Sequence, residues 1–350
     1  MRYRKTRKTI VASLAVFLVC FFILKPHNSF SQDKYAEAGS YTFAITVNGL
    51  QRNYMVHVPA TQIPKAPFPV VIMLHGGGGT GRAAKRETGW AEKADKEGFL
   101  AVFPNALARD PARRSRFAGN PQLWNDGSNR FHPAQNAVDD VRFLDAMLDD
   151  LLTKFNVDNK RVYVTGFSNG ASMTFRIGTE LSERIAAIAP VAGALWEKPQ
   201  PLKRPVPMIY ITGTDDTLNP IEGGVPRLAT GRQMGGGSGK AKPPVRDSIL
   251  KWAGMIGCPA KPRDISKSNG VLTERYGPGG EGAEVVFVKI EGLGHQWAGG
   301  KSLLPEFMVG PGSDKINATC VIWEFFTTQT LSEKKEAQQG APGDADKPRR

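Results

Sequence analysis

Arg161-Val162-Tyr163-Val164-Thr165-Gly166-Phe167-Ser168-Asn169-Gly170 is the stretch that decides how this chain reads. Its first half is a short β-branched run, the composition of a buried strand. Its second half is a G-x-S-x-G pentapeptide, and a helical pattern runs from Asn169 to about Leu181. The pentapeptide alone is a weak signal, because Gly and Ser are common. A strand before it and a helix after it make the strand–turn–helix setting that a nucleophile elbow requires. In such a turn the serine is held in a strained conformation, and Gly166 and Gly170 let neighbouring backbone pass.

Outward from this stretch, short apolar runs alternate with amphipathic ones. Pro69–Leu74, Phe99–Phe103, Ala187–Val191, Met208–Thr212 and Glu284–Ile290 read as buried strands. Helical patterns fall near Ala91–Glu97, over Ala137–Phe155 and over Asn317–Thr328. Asp139 and Asp140 suit the positive end of the second helix. Tyr41–Val47 and Leu50–Val58 alternate around Asn48-Gly49, which suits a tight type I′ hairpin. The pattern predicts an α/β fold: a mostly parallel central sheet with helices on both faces and an antiparallel N-terminal hairpin. Gly213–Lys242 has little regular pattern and reads as a long surface excursion. Residues 38–330 are expected to form one catalytic domain, and 331–350 a disordered tail whose end, Ala337–Arg350, lacks apolar content.

The chain has 350 residues, 41% hydrophobic and 23% charged, with net charge +13. Arg2, Arg4, Lys5, Arg7, Lys8 and Lys25 carry six of those charges, so +7 remains outside them. The remaining Lys and Arg are scattered rather than interleaved with aromatics, which argues against nucleic acid as a partner. The basic Met1–Lys8 and the apolar Ile10–Leu24 read as a signal peptide over residues 1–31, or a short N-terminal anchor. The apolar run is shorter than the about 20 residues that span a bilayer, so membrane contact would be only through that segment left uncleaved. The chain is therefore expected to be exported, to the periplasm or outside the cell. Once the segment is removed Cys258 and Cys320 remain, an even count in an oxidising compartment, and a Cys258–Cys320 disulfide is expected.

A serine needs a base to become a nucleophile. In the fold that carries this elbow the order is Ser, acid, His. Of His27, His57, His75, His132 and His295, only His295 follows Ser168. The acid should lie at a strand end between them, and Met208–Thr212 leads into Asp215 and Asp216. One of these two should orient the histidine. The Asn169 N–H is one oxyanion donor, and the glycine-rich loop His75-Gly76-Gly77-Gly78-Gly79 after a buried strand is placed to supply another. By the same elimination His75 is structural rather than the base. Gly235–Lys240 fails as a phosphate loop, since Met234 stands where its first glycine belongs and Ala241 where its Ser or Thr belongs. No metal-ligand spacing appears, and neither metal nor cofactor is implied.

Leu74-His75-Gly76-Gly77, Trp124-Asn125-Asp126, Val138-Asp139-Asp140-Val141, the Arg161–Ser168 stretch and Gly294-His295-Gln296-Trp297 resemble the polyhydroxybutyrate depolymerase and feruloyl esterase-like family of α/β-hydrolases. The resemblance covers about Tyr41 to Phe326. It implies a secreted serine esterase acting on a small or oligomeric carboxylic ester through an acyl-enzyme. The family's Gly-Thr-x-Asp pattern falls on Gly213–Asp216 and selects Asp216 as the acid. The second oxyanion N–H would belong to Gly76 or Gly77, with His75, Trp124 and Trp297 about the substrate pocket. Ala171, Thr212 and Ala298 depart from the pattern and leave the acyl group open. A prolyl-oligopeptidase-type peptidase could use the same triad, but such enzymes carry a gating domain with no counterpart here. A non-catalytic binding protein would be expected to have lost a triad member, and every role has an occupant.

Overall fold

The computed structural model describes residues 37–332, apart from 62–65, 118, 197–200 and 233–238. The N-terminal segment and nearly all of the C-terminal tail lie outside the described residues. A ten-stranded sheet organises the rest, in the order β1-β2-β4-β3-β5-β6-β7-β10-β9-β8. The strands are β1 (Gly39–Val47), β2 (Leu50–Val58), β3 (Phe68–Leu74), β4 (Leu100–Pro104), β5 (Val157–Phe167), β6 (Ala187–Val191), β7 (Met208–Gly213), β8 (Asp264–Ser268), β9 (Val271–Tyr276) and β10 (Val285–Ile290). The six central strands, from β4 to β10 in sheet order, pair in parallel, and antiparallel strands close both edges.

The central strands are buried along nearly their whole length, as near-continuous apolar runs should be when helices cover both faces. The helices are α1 (Gly81–Thr88), α2 (Trp90–Glu97), α3 (Pro133–Asn136), α4 (Asp140–Lys154), α5 (Asn169–Glu180), α6 (Val245–Met255), α7 (Glu306–Val309) and α8 (Ala318–Thr327). One apolar layer gathers α4, α5 and α6 around Phe143, Phe175 and Trp252. The other gathers α1, α2 and α8 around Trp90, Phe99 and Phe326.

Local signals set the element ends. Asp139 caps α4, accepting from Arg142 N–H at 2.9 Å. Asp140, in the first turn, is fully buried: Arg52 Nη2 donates to its Oδ1 at 2.6 Å, and Asn125 N–H to its Oδ2 at 2.7 Å. It ties the loop after β4 to the helix, a stronger constraint than a helix-dipole contact on an exposed turn. Asn48-Gly49 turns the opening hairpin with both residues at positive φ, 50° and 76°.

Two expectations need correction. The hairpin β8–β9 was not foreseen; its outer strand Asp264–Ser268 is exposed at every position, so no burial imprints an apolar alternation on it. The expected disulfide is not formed: Cys258 and Cys320 are both free. Cys258 belongs to the apolar layer on one face of the sheet, whereas Cys320 sits on α8, which packs against the other. The sheet lies between the two layers and keeps the thiols apart.

Candidate active site

The parallel strands share one polarity, so their C-terminal ends present loops to one edge of the sheet. Ser168 occupies the tight turn between β5 and α5, with φ 55° and ψ −115°. A non-glycine residue at positive φ stores of the order of 1–3 kcal/mol of strain. The turn is sustained by Ser168 N–H donating to Val191 O at 2.9 Å and by Ser172 N–H donating to Ser168 O at 3.1 Å. Its closeness demands glycine: a Cβ on Gly166 would lie 2.4 Å from Gly170 O, and one on Gly170 would lie 2.3 Å from Leu74 O.

The loops after β7 and β10 are tied to one another. Thr214 N–H donates to Ile290 O and Asp215 N–H to Leu293 O, both at 3.0 Å. Those bonds bring Asp216 to His295. Asp216 is 2% exposed and His295 is 6% exposed. His295 Nδ1 lies 2.8 Å from Asp216 Oδ2, while Asp216 Oδ1 accepts from Leu218 N–H at 2.9 Å and Asn219 N–H at 2.7 Å. A carboxylate so occupied accepts the Nδ1–H and leaves Nε2 as the basic nitrogen. Asp215, by contrast, is exposed and accepts from Thr214 Oγ1 instead.

The ring of His295 packs 4.8 Å from that of Phe167, the residue before Ser168. Ser168 Oγ itself has no hydrogen-bond partner among the described residues. The structure therefore joins Asp216 to His295 directly and sets the residue before Ser168 against the His295 ring, with no Oγ–Nε2 bond among the described residues. Such bonds often tighten only when substrate arrives.

The glycine loop after β3 lies against the elbow. A Cβ on Gly76 would be 3.6 Å from Ser168 Cβ, and one on Gly77 would be 3.6 Å from Asn169 Cβ. The N–H groups of Gly76, Gly77 and Asn169 have no protein acceptor among the described residues. Three free donors beside a serine at the start of a twelve-residue helix suit a developing oxyanion.

His75 and Trp124 support this loop from beneath. His75 is buried; its Nδ1 donates to Gly76 O at 2.8 Å, and its Nε2 accepts from Ala106 N–H at 3.1 Å. Both ring nitrogens are used by the neutral form, and burial pushes its pKa from 6.5 down to about 4. Trp124 has no exposed surface; its Nε1 donates to His75 O at 3.0 Å, and its N–H to Asn169 Oδ1 at 2.8 Å. The pocket placement of Trp124 is thus corrected: it props the loop and offers substrate no surface. Trp297 is 6% exposed, donates to Thr319 Oγ1 at 3.0 Å and joins His75, Gly76, Phe167 and His295 around a cavity of about 40 Å³. A larger cavity of about 850 Å³, lined by Val70, Leu148 and Val157 among others, opens at the opposite ends of the strands and holds none of these residues.

His75 carries a pH expectation. Its folded pKa lies below its unfolded one, so between pH 6.5 and about 4 the unfolded chain binds the extra proton. Stability conferred by the neutral ring is present above 6.5 and lost as pH falls through that window, by up to roughly 3 kcal/mol. Thermal melts at pH 7 and pH 4 should show a smaller drop for His75→Gln than for wild type. Equal drops would place the acid sensitivity elsewhere.

Arg130, Asn219 and Lys242, which the sequence did not single out, complete the surroundings. Asn169 Nδ2 donates to Asp126 Oδ2 at 2.8 Å, and Arg130 Nη2 to the same oxygen at 3.1 Å. Lys242 Nζ donates to Asn219 Oδ1 at 2.9 Å. Asp126 and Asn169 stood inside quoted stretches; Arg130 and Asn219 did not, and Lys242 closes an excursion with no periodicity.

A family model described as the dienelactone hydrolase family matches residues 57–224, from β2 through the elbow to the loop beyond Asp216. The chain has the α/β-hydrolase fold. Poly(3-hydroxyalkanoate) depolymerase C of Paucimonas lemoignei is 29% identical over 143 residues, 40% of this chain and 31% of that protein. Feruloyl esterase B of Piromyces equi is 28% identical over 259 residues, 71% of this chain and 44% of that protein. The bifunctional acetylxylan esterase/xylanase XynS20E of Neocallimastix patriciarum is 28% identical over 172 residues, 49% of this chain and 22% of that protein. The chain therefore spans less than half the length of all three relatives. The acetyl xylan esterase from Aspergillus awamori shares the fold, with a TM-score of 0.50 at 16% identity over 73% of this chain and 94% of that one.

Proposed function

We propose that this hydrolase is an exported serine esterase that cleaves carboxylic esters through an acyl-enzyme. The observation that carries the proposal is the buried Asp216–His295 pair beside a serine held at positive φ. Ser168 Oγ attacks the ester carbonyl while His295 Nε2 takes its proton. The carbonyl oxygen becomes an oxyanion facing the N–H groups of Asn169 and Gly76 or Gly77. Collapse of that intermediate breaks the C–O bond, and the departing alcohol takes the proton back from His295. Water then repeats the sequence and frees the acid. Asp216 stays ionised throughout, orienting the ring and balancing the imidazolium.

Ester rather than another acyl bond is favoured by the relatives, which are named for feruloyl, acetylxylan and polyhydroxyalkanoate substrates. Export is supported by the basic, then apolar, start of the chain. The site needs no metal or cofactor, because every role in the reaction has a side chain or amide to fill it. A fluorophosphonate probe should label the wild-type protein at Ser168, as read by peptide mass, and leave Ser168→Ala unlabelled. A wild-type protein that resists the probe would overturn the proposal. A panel of acetyl, feruloyl and hydroxybutyrate esters then identifies the acyl group.

A further inference from the structure

Lys242 is 5% exposed and is linked to Asp216 of the candidate triad through Asn219. Its Nζ donates to Asn219 Oδ1 at 2.9 Å. The main-chain N–H of the same Asn219 holds Asp216 Oδ1 at 2.7 Å. Asn219 Nδ2 donates to Tyr210 OH at 3.0 Å, and that hydroxyl donates to Gly193 O at 2.6 Å. Gly193 packs on the elbow, where a Cβ would come within 2.8 Å of Ser168 O. The lysine is itself anchored by a two-way main-chain pairing with Gly224, at 2.8 and 3.0 Å.

Stability is a poor reason for this arrangement. An ammonium in the interior forfeits hydration, and one amide oxygen is meagre compensation. An apolar side chain of similar length would fill the space at lower cost. The charges facing it come from three elements. Asp216 lies after β7, Asp126 and the like-charged Arg130 lie after β4, and His295 stands behind Asp216; the Tyr210 phenol is held neutral by burial. Burial and Arg130 together bring the Lys242 pKa from 10.5 down to about 7, so the group is cationic on the acid side of neutrality.

We propose that Lys242 is a positioning residue for the Asp216–His295 pair, clamping Asn219 and setting a cation behind the acid. The proposal rests on the reading of that pair as acid and base. Its clamp fixes the loop whose amides aim Asp216 at the ring. Its charge is a cation near Asp216 that opposes a second positive charge forming on His295.

The test compares wild type with Lys242→Met and Lys242→Arg on a p-nitrophenyl ester across pH 5–9. Lys242→Met is expected to lower kcat by about ten- to a hundred-fold with KM little changed, the cost of a misaimed catalytic group. It should also move the acid limb of kcat/KM upward by about half a pH unit or more, since a nearby cation has gone. Lys242→Arg keeps the charge and should keep the limb in place. Wild-type kcat in Lys242→Met, or a lower kcat with an unmoved limb, would overturn the proposal. If Lys242→Met does not fold, Lys242→Gln, which keeps a donor without the charge, must show the same upward limb. Failure of the underlying triad reading is recognised separately, by Ser168→Ala retaining activity.

Discussion

Ser168→Ala should lower kcat on a p-nitrophenyl ester by roughly 10⁴–10⁶-fold, and His295→Ala by a similar factor. The two losses should be close in size, because neither group does the other's work: a serine hydroxyl without its base is a poor nucleophile, and the base without the serine has nothing to activate. The double variant should lose little more than either single one, as members of one unit are strongly non-additive. Some rate above water should survive in each, supplied by the amides of Gly76, Gly77 and Asn169, which the substitutions leave intact. The measurement is steady-state kinetics on purified protein, with melting temperature as the control for folding. Near-normal turnover in either variant would remove the triad.

Asp216→Asn is the next largest expectation, a loss of about 10⁴-fold in kcat. The amide is nearly isosteric and Oδ1 can keep its bonds from Leu218 and Asn219. At the Oδ2 position, however, the acceptor becomes an NH₂ donor. It then favours the wrong tautomer of His295 and leaves the imidazolium without a counter-charge. Asp215→Asn is the matched control. Its carboxylate is exposed and bonded to Thr214, so activity should stay within a few-fold of wild type. The pair of variants separates adjacent aspartates that composition alone cannot tell apart. Equal losses in both would mean that the loop, not one carboxylate, is what matters.

Much of this was legible in the sequence because burial writes patterns. Ile72, Val102, Ile188 and Ile211 sit in strands covered on both faces, and their apolar runs were visible without coordinates. The order Ser168, then an acid, then His295 was legible because only one histidine follows the serine. Choosing Asp216 over Asp215 needed more than spacing: the two differ in which way the turn after β7 aims each side chain. The β8–β9 hairpin was missed although Asn269-Gly270, at φ 47° and 71°, turns it as Asn48-Gly49 turns the first hairpin. That dipeptide was the available signal, and the exposed, polar β8 masked it. The supporting role of Trp124, misplaced in the pocket, and the roles of Asn219 and Lys242 escaped for a different reason. Their roles arise from hydrogen bonds between loops far apart in the chain, and no local pattern records those.

The backbone at Ser168 has a consequence for how this protein tolerates change. At φ 55° and ψ −115° a glycine would sit without strain, so the fold taken by itself is better served by a residue with no side chain. Selection for thermal endurance alone would draw this position toward glycine and erase the alcohol that gives the elbow its purpose. Stability and chemistry pull in opposite directions at one dihedral pair, and the serine that survives there marks which of the two has been kept.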